Sequence, residues 1–277
     1  LNSYQQQITA SEIKLYSSFL SRDVVLTVVL PAYYTSSGSY PLLLINDGQD
    51  LAAMNLVSII SDLNKRDEIV PFITIGIHAN QNRIQEYGTA GQADYANRGS
   101  LATATTSFVI EELLPFLLRE YNCSTANIIY AGFSLGGLMA LDMVWSYPEV
   151  FNRAAVFSGA LWWRQKALNE GYRDVDRIMH SRIRNSEYKS GLKFWFQCGG
   201  KDEADDRDGD GIIDSMQDTL ECIGELERKG YFWHKDIIYM EMPEGEHDIP
   251  TWSLAMPKFL SWAFPNKQEE EILTAIW

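Results

Sequence analysis

Cysteine is scarce in this sequence, and the scarcity is informative. Cys123, Cys198 and Cys222 are the three present. Their spacing matches no zinc or redox motif, and an odd count argues against a disulfide framework. Cys198 lies in an apolar run and reads as a small core residue. Positive charge is also in deficit: 23 Lys and Arg stand against 37 Asp and Glu, a net of -14. Such a surface repels a phosphate backbone, so nucleic acid is not expected as a partner, and anionic membranes are disfavoured for the same reason. Long hydrophobic runs are missing too. Stretches such as Val24–Leu30 stop far short of the roughly 20 residues of a membrane helix, so no membrane insertion is expected. There is no internal repeat, low-complexity tract or linker-like stretch. What remains is a chain of 277 residues, 46% of them hydrophobic, enough for one large core. A single domain over 1–277 is expected. The chain begins at Leu1 rather than Met, which reads as removal of a tag or a processed leader. A soluble protein is expected, and both the cytoplasm and export after leader removal stay open as its compartment.

Apolar runs and breaks order the chain. Ile13–Phe19 and Val24–Leu30 read as two strands around a turn, closed by Pro31. Pro41–Ile45 and Phe72–Ile77 read as short strands buried on both faces, as parallel strands are. Ile110, Leu113, Leu114, Leu117 and Leu118 share one helix face, and Pro115 predicts a kink or break there. Asn127–Ala131 is a predicted strand, followed by a helix from Leu135 that must end near Tyr147, before Pro148. Further strands are expected at Ala154–Phe157, Leu192–Cys198 and Ile237–Met242, and a helix at Met216–Lys229 with Gly230 as its stop. Strands alternating with helices give an α/β fold with a mostly parallel sheet, and ligands in such folds bind beyond the carboxyl ends of the strands. The loops after strands are therefore where chemistry belongs.

One such loop holds Gly132-Phe-Ser134-Leu-Gly136, a G-x-S-x-G sequence between a predicted strand and a predicted helix. Glycines two positions either side leave room for a sharp turn that lifts Ser134 to the positive end of the following helix. A serine hydroxyl needs a base. In the order Ser, acid, His, the base candidates are His234 and His247. His247 follows the last predicted strand, within Pro243–Asp248. His234 precedes that strand, at the opposite end of the sheet, and reads as a surface residue. His180, in a polar stretch, reads as surface as well. His78 follows a strand but precedes the serine, which leaves it as a substrate contact. Asp202 is the first carboxylate past Leu192–Cys198 and would hold the imidazole's tautomer, with Glu203 as runner-up. An oxyanion needs two backbone N–H donors. Leu135 supplies one, and the loop Asp47-Gly48-Gln49 the other, with Gln49 chosen ahead of Gly48.

Two groups admit two readings each. Trp162, Trp163 and Arg164 on a loop after a strand suit a sugar or aromatic acid, or simply packing beneath the loop. Arg83 would take an anionic substrate or pair with Glu86. The segment Asp206-Arg-Asp208-Gly-Asp210-Gly-Ile212-Ile-Asp214 places carboxylates at positions 1, 3, 5 and 9 of a calcium-type loop, with Gly at 6 and Ile at 8, and Ile212 counted among its candidate metal residues. Gln217 stands where a bidentate acid is usual. The segment therefore reads either as a structural Ca²⁺ loop stiffening the Asp202 region or as a solvated acidic insertion.

These residues resemble the putative esterase family, also called the esterase D or enterochelin-esterase-like family. Asp47-Gly48-Gln49, Gly132–Gly137, Cys198-Gly-Gly-Lys-Asp202 and Gly245-Glu-His247-Asp248 with Trp252 and Pro257–Trp262 are similar to its oxyanion loop, elbow, acid loop and histidine loop with closing helix. Glu246 replaces a usual glycine. The Asp206–Asp214 insertion is not general to the family. The resemblance implies an α/β-hydrolase three-layer sandwich with no cofactor needed for catalysis. It also implies a serine carboxylic ester hydrolase acting on a small-molecule or carbohydrate ester, with a sugar-linked or a siderophore ester as the substrates to test. An acyltransferase of the same fold and a catalytically silent binding module are the rival readings.

Overall fold

The computed structural model describes residues 7–266; Leu1 and the two ends of the expected 1–277 range lie outside these. Thr9–Ser17 (β1) and Arg22–Leu30 (β2) form a hairpin, followed by Tyr40–Asn46 (β3), Leu56–Lys65 (α1), Ile73–Ile77 (β4) and the short Arg83–Glu86 (α2). Next come Ala102–Ser107 (α3), a π-helical stretch Phe108–Leu113, Leu114–Glu120 (α4), Cys123–Phe133 (β5), Leu135–Ser146 (α5) and Arg153–Phe157 (β6). Ile178–Arg184 (α6), Lys193–Lys201 (β7), Asp214–Lys229 (α7), Ile237–Glu246 (β8) and Ile249–Ala263 (α8) complete the order.

The eight strands form one sheet in the order β1-β2-β4-β3-β5-β6-β7-β8. The hairpin packs antiparallel against β4, and all pairs from β4 to β8 are parallel. Alternate side chains of each inner strand enter two different cores, which is why β3 is apolar throughout. Leu42 and Leu44 join the helices α4, α5, α6 and α7 on one face, while Leu43 and Ile45 join α1 and α8 on the other. This is the expected three-layer α/β sandwich. Helix α5 is buried at nearly every position, as its uniformly apolar sequence requires. Pro115 falls at the first turn of α4, where a missing N–H is tolerated, and the break expected there is expressed as the wider π turn before it. No helix among the described residues is long and apolar enough to cross a membrane.

The carboxyl ends of β3, β5, β6, β7 and β8 all open on one edge of the sheet, since these strands run parallel. Ser134, Asp202 and His247 each follow the last residue of one of these strands.

Candidate active site

The turn carrying Ser134 is shaped by steric exclusion. Ser134 has φ 54° and ψ −122°, a conformation that costs a non-glycine residue about 1–3 kcal/mol. A Cβ on Gly132 would run into the Gly136 carbonyl, and one on Gly136 would lie 2.9 Å from both Asn46 Cβ and Asp47 Oδ2. Only glycine permits such close approach. The Ser134 amide donates to the Phe157 carbonyl at 2.9 Å, and its carbonyl accepts from Ala160 at 3.0 Å. The amides of Gly137 and Leu138 close on the Ser134 carbonyl, which leaves the Leu135 amide at the open, positive start of α5.

The loop after β3 is fastened to this turn. Asn46 donates through its side-chain amide to the Gly136 carbonyl at 2.9 Å and accepts from the Tyr130 hydroxyl at 2.9 Å. Asp47 is left-handed at φ 61°, and its buried carboxylate accepts two bonds from Arg83, at 2.7 and 2.8 Å. Arg83 also donates to the Phe133 carbonyl at 3.3 Å and lies over the Tyr87 ring. The Tyr87 hydroxyl in turn accepts from the Asp47 amide. Gln49 sits in the short turn Gly48–Asp50, whose first amides have no carbonyl within the turn to serve them. Its side chain accepts from Ala79 N–H at 2.9 Å and donates to Asp50 at 3.2 Å.

Asp202 and His247 follow the last two strands. Asp202 accepts from the Ser158 hydroxyl on Oδ1 at 3.0 Å and from the Gly199 amide on Oδ2 at 3.1 Å. Trp252 of α8 donates its indole N–H to the Ser158 oxygen at 3.0 Å. The same indole meets His247 edge-on at 5.4 Å and stacks on Phe133 at 4.9 Å. One side chain thus touches the residue before Ser134, the imidazole, and the support of Asp202. Asp248 caps α8 by accepting from Thr251 N–H, and the Thr251 hydroxyl accepts from Glu246 N–H, so His247 is held between two fixed neighbours.

Burial of the His247 ring lowers its pKa below the usual imidazole value; the Asp202 charge opposes this, and the Arg83 charge adds to it. Burial raises the Asp202 pKa, held in check by the Ser158 and Gly199 donors and by His247. The lowered His247 pKa favours a neutral imidazole near pH 7, the state in which an imidazole can accept a proton.

Several side chains lie elsewhere than expected. Arg83 is committed to Asp47, and Glu86 is taken by Arg22 at 3.0 Å. Trp163 has no exposed surface and packs on Gly88 and Gly99, so packing accounts for it and not substrate contact. Trp162 is half-buried with the Arg98 guanidinium 4.8 Å from its ring centre, and Arg164 lies over Tyr95, Trp162 and Tyr172. His180 is buried, not on the surface. Its Nε2 meets the Asp218 carbonyl at 2.7 Å, and burial pushes its pKa down to about 3. Helix α6 turns Ile178, Met179 and Ile183 inward alongside it, while its arginines reach acids on α5 and α7. His78 bonds the Thr27 hydroxyl at 2.7 Å. Glu203 accepts from the Ser215 backbone, on the α7 side. Sequence reasoning did not single out Ser158; its one signal was its place as the first residue past a strand on the site edge.

The acidic loop gathers some of its expected ligands. Carboxylate oxygens of Asp206, Asp208 and Asp210 lie within 4.8 Å of one another. Asp214 does not join them: it accepts from the Arg207 amide at 2.9 Å and lies 3.3 Å from the Arg207 guanidinium. Gln217 donates to Asp208 at 2.7 Å. Ile212 is exposed, and its amide is bonded to Asp210.

A family model described as a putative esterase matches residues 17–263. The uncharacterized protein YjcH of Bacillus subtilis (strain 168) is 27% identical over 227 residues, covering 80% of this chain and 85% of that protein. YbbA of the same organism is 26% identical over 145 residues, covering 50% of this chain and 56% of that protein. Among solved structures, the enterobactin esterase FES from Shigella flexneri, in the presence of enterobactin, superposes with a TM-score of 0.71 at 20% identity. That superposition covers 94% of this chain and 60% of the Shigella one. The siderophore hydrolase EstB from Aspergillus nidulans gives a TM-score of 0.69 at 16% identity, covering 96% of each chain. This chain therefore spans less than two thirds of YbbA and of the Shigella protein, and at these identities the structural likeness is one of fold.

Proposed function

The chain belongs to the putative esterase family, and from that premise we propose that it hydrolyses carboxylic esters through an acyl-enzyme on Ser134. The observation that carries the reading is the strained Ser134 at the start of α5, beside the open Leu135 amide. In the proposed cycle, Ser134 Oγ attacks the ester carbonyl while His247 takes its proton. The Leu135 and Gln49 amides hold the oxyanion, and His247 returns the proton to the departing alcohol. Water then attacks the acyl-enzyme by the same proton transfers in reverse roles. Asp202 keeps the imidazole in the right tautomer and stabilises its charged form. Side chains and water suffice for this chemistry. A Ca²⁺ held by Asp206, Asp208 and Asp210 would stiffen the segment leading from Asp202 to α7 and touch no reacting atom.

The names of the structural neighbours, with enterobactin, ferulic acid and a siderophore among them, support testing sugar-linked and siderophore esters first. The test is a hydrolysis screen of acetyl and feruloyl sugar esters and a trilactone siderophore, with wild type beside Ser134→Ala. Loss of roughly a thousandfold or more in kcat is expected for the variant, with the fold intact. Full activity in Ser134→Ala would overturn the mechanism. An added alcohol that becomes acylated would favour acyl transfer over hydrolysis.

A further inference from the structure

Ser158, directly after β6, has φ 44°, a positive-φ non-glycine residue at the site like Asp47 and Ser134. Glycine would adopt that backbone with far less strain, so the backbone gives no reason for a serine. The hydroxyl does. Ser158 is 1% exposed, and its oxygen lies 3.0 Å from Asp202 Oδ1 and 3.0 Å from the Trp252 indole nitrogen. An indole N–H can only donate, and a serine hydroxyl has a single hydrogen. Trp252 therefore occupies a lone pair on Ser158 and leaves the hydrogen for the carboxylate. The direction of the chain is settled by donor chemistry alone: indole to hydroxyl to carboxylate. The Gly199 amide holds the other carboxylate oxygen. Two donors on two oxygens set the plane of the carboxyl group and still leave lone pairs for an imidazole.

We propose that Ser158, oriented by Trp252, is a positioning residue that sets the carboxylate plane of Asp202 and, through it, the orientation and basicity of His247. The inference rests on the Ser134–His247–Asp202 reading above and extends it by two residues. Trp252 acts twice, since its ring edge also bounds the imidazole it helps to orient. The charged and titratable groups facing Asp202 are His247 and Asp248, with Cys198 and Tyr239 behind them; Arg83 is added on the His247 side. None of these supplies a second hydroxyl donor to the Asp202 carboxylate.

The test is Ser158→Gly, which keeps the backbone and removes the hydroxyl. Without the hydroxyl, the Asp202 charge is less dispersed and attracts imidazolium more strongly, and Asp202 itself is easier to protonate. Both effects move the acid limb of kcat/KM to higher pH. The expected result is a ten- to hundredfold loss in kcat, the scale of one hydrogen bond to a charged group. KM and the melting temperature should stay close to wild type. Trp252→Phe should act in the same direction with a smaller effect, because the hydroxyl survives but loses its orientation. An NMR titration of the His247 ring, without substrate, should show its pKa moved up in Ser158→Gly. A kcat within twofold of wild type would overturn the proposal, and so would a loss of kcat with the His247 titration unmoved. Failure of the wild type to cleave any ester would count against the triad reading; the titration would still decide whether Ser158 governs His247 through Asp202.

Discussion

On the side of the proposed nucleophile, Gly132 and Gly136 meet at backbone distance, and buried Asn46 and Asp47 are tied to that turn, Asn46 by its own amide and Asp47 through Arg83. On the proposed acid–base side, Asp202 and His247 follow β7 and β8, and among the described residues β8 is one of the sheet's two edge strands, β1 being the other. The first half is made from main-chain close packing and an ion pair. The second is made from single hydrogen bonds: Ser158 and Gly199 on Asp202, and Thr251 and Asp248 flanking His247. In the proposed cycle, the group that attacks the substrate carbon is thus held by main-chain packing, and the group that changes protonation is held by single hydrogen bonds.

Substitutions can break each half in its own way. Gly136→Ala should have the largest effect, because its Cβ meets Asn46 and Asp47 at 2.9 Å and must push the Asn46–Gln49 loop off the turn. A loss of roughly a hundredfold or more in kcat is expected, with destabilisation of about 1–3 kcal/mol in urea unfolding. Unchanged kinetics would show that the contact can relax. Arg83→Ala strands the Asp47 carboxylate, but Arg83 is itself about one-third exposed, at 32%. A cost below that of a fully buried pair, about 2 kcal/mol, is therefore expected, together with roughly a tenfold loss in kcat. Arg83→Lys should recover little of this, since an ammonium cannot reproduce the two-pronged bond. If the substrate itself needed Arg83, KM would rise and stability would hold.

The acid–base half is probed by pH. In the proposed cycle His247 must be neutral to accept the Ser134 proton, and burial lowers its pKa below 6.5. Activity should therefore be full at neutral pH and fall about tenfold per unit once pH drops below that lowered value. An acid limb centred above 6.5 would contradict the burial seen here. The smallest effect expected is that of calcium. If Asp206, Asp208 and Asp210 bind it, saturating Ca²⁺ should raise the melting temperature by a few degrees. Chelation should reverse the shift, and Asp208→Asn should abolish it. No shift in either direction would leave the loop as a solvated acidic insertion.

Much of this was readable from the chain because it depends on local sterics. The two glycines around Ser134 announce a turn that only they allow, and the apolar runs mark every inner strand of the sheet. The order of Ser134, Asp202 and His247 along the chain needs nothing but strand boundaries. The misplaced residues depend on contacts between distant segments. Arg83 is 36 residues from Asp47, and Ser158 is 94 from Trp252. Neither pairing leaves a periodic trace. His180 reads as a surface residue because arginines surround it in sequence, yet they reach past it to acids on neighbouring helices and leave the ring inside. Strand β7 runs on through Gly199 and Gly200, which read as a loop; these glycines lie against the Gly245 and Pro243 backbone of β8. That approach depends on the partner strand.

The edge position of β8 has a consequence in time. A strand with one neighbour exposes its outer amides and opens at lower free energy than the inner strands. Hydrogen exchange along β8 should therefore outpace that of β5, which lies between β3 and β6. On warming, the loop carrying His247, the proposed base, would be released before the turn carrying Ser134, the proposed nucleophile. Inactivation would then precede global melting, and would reverse on cooling for as long as the inner strands stayed closed.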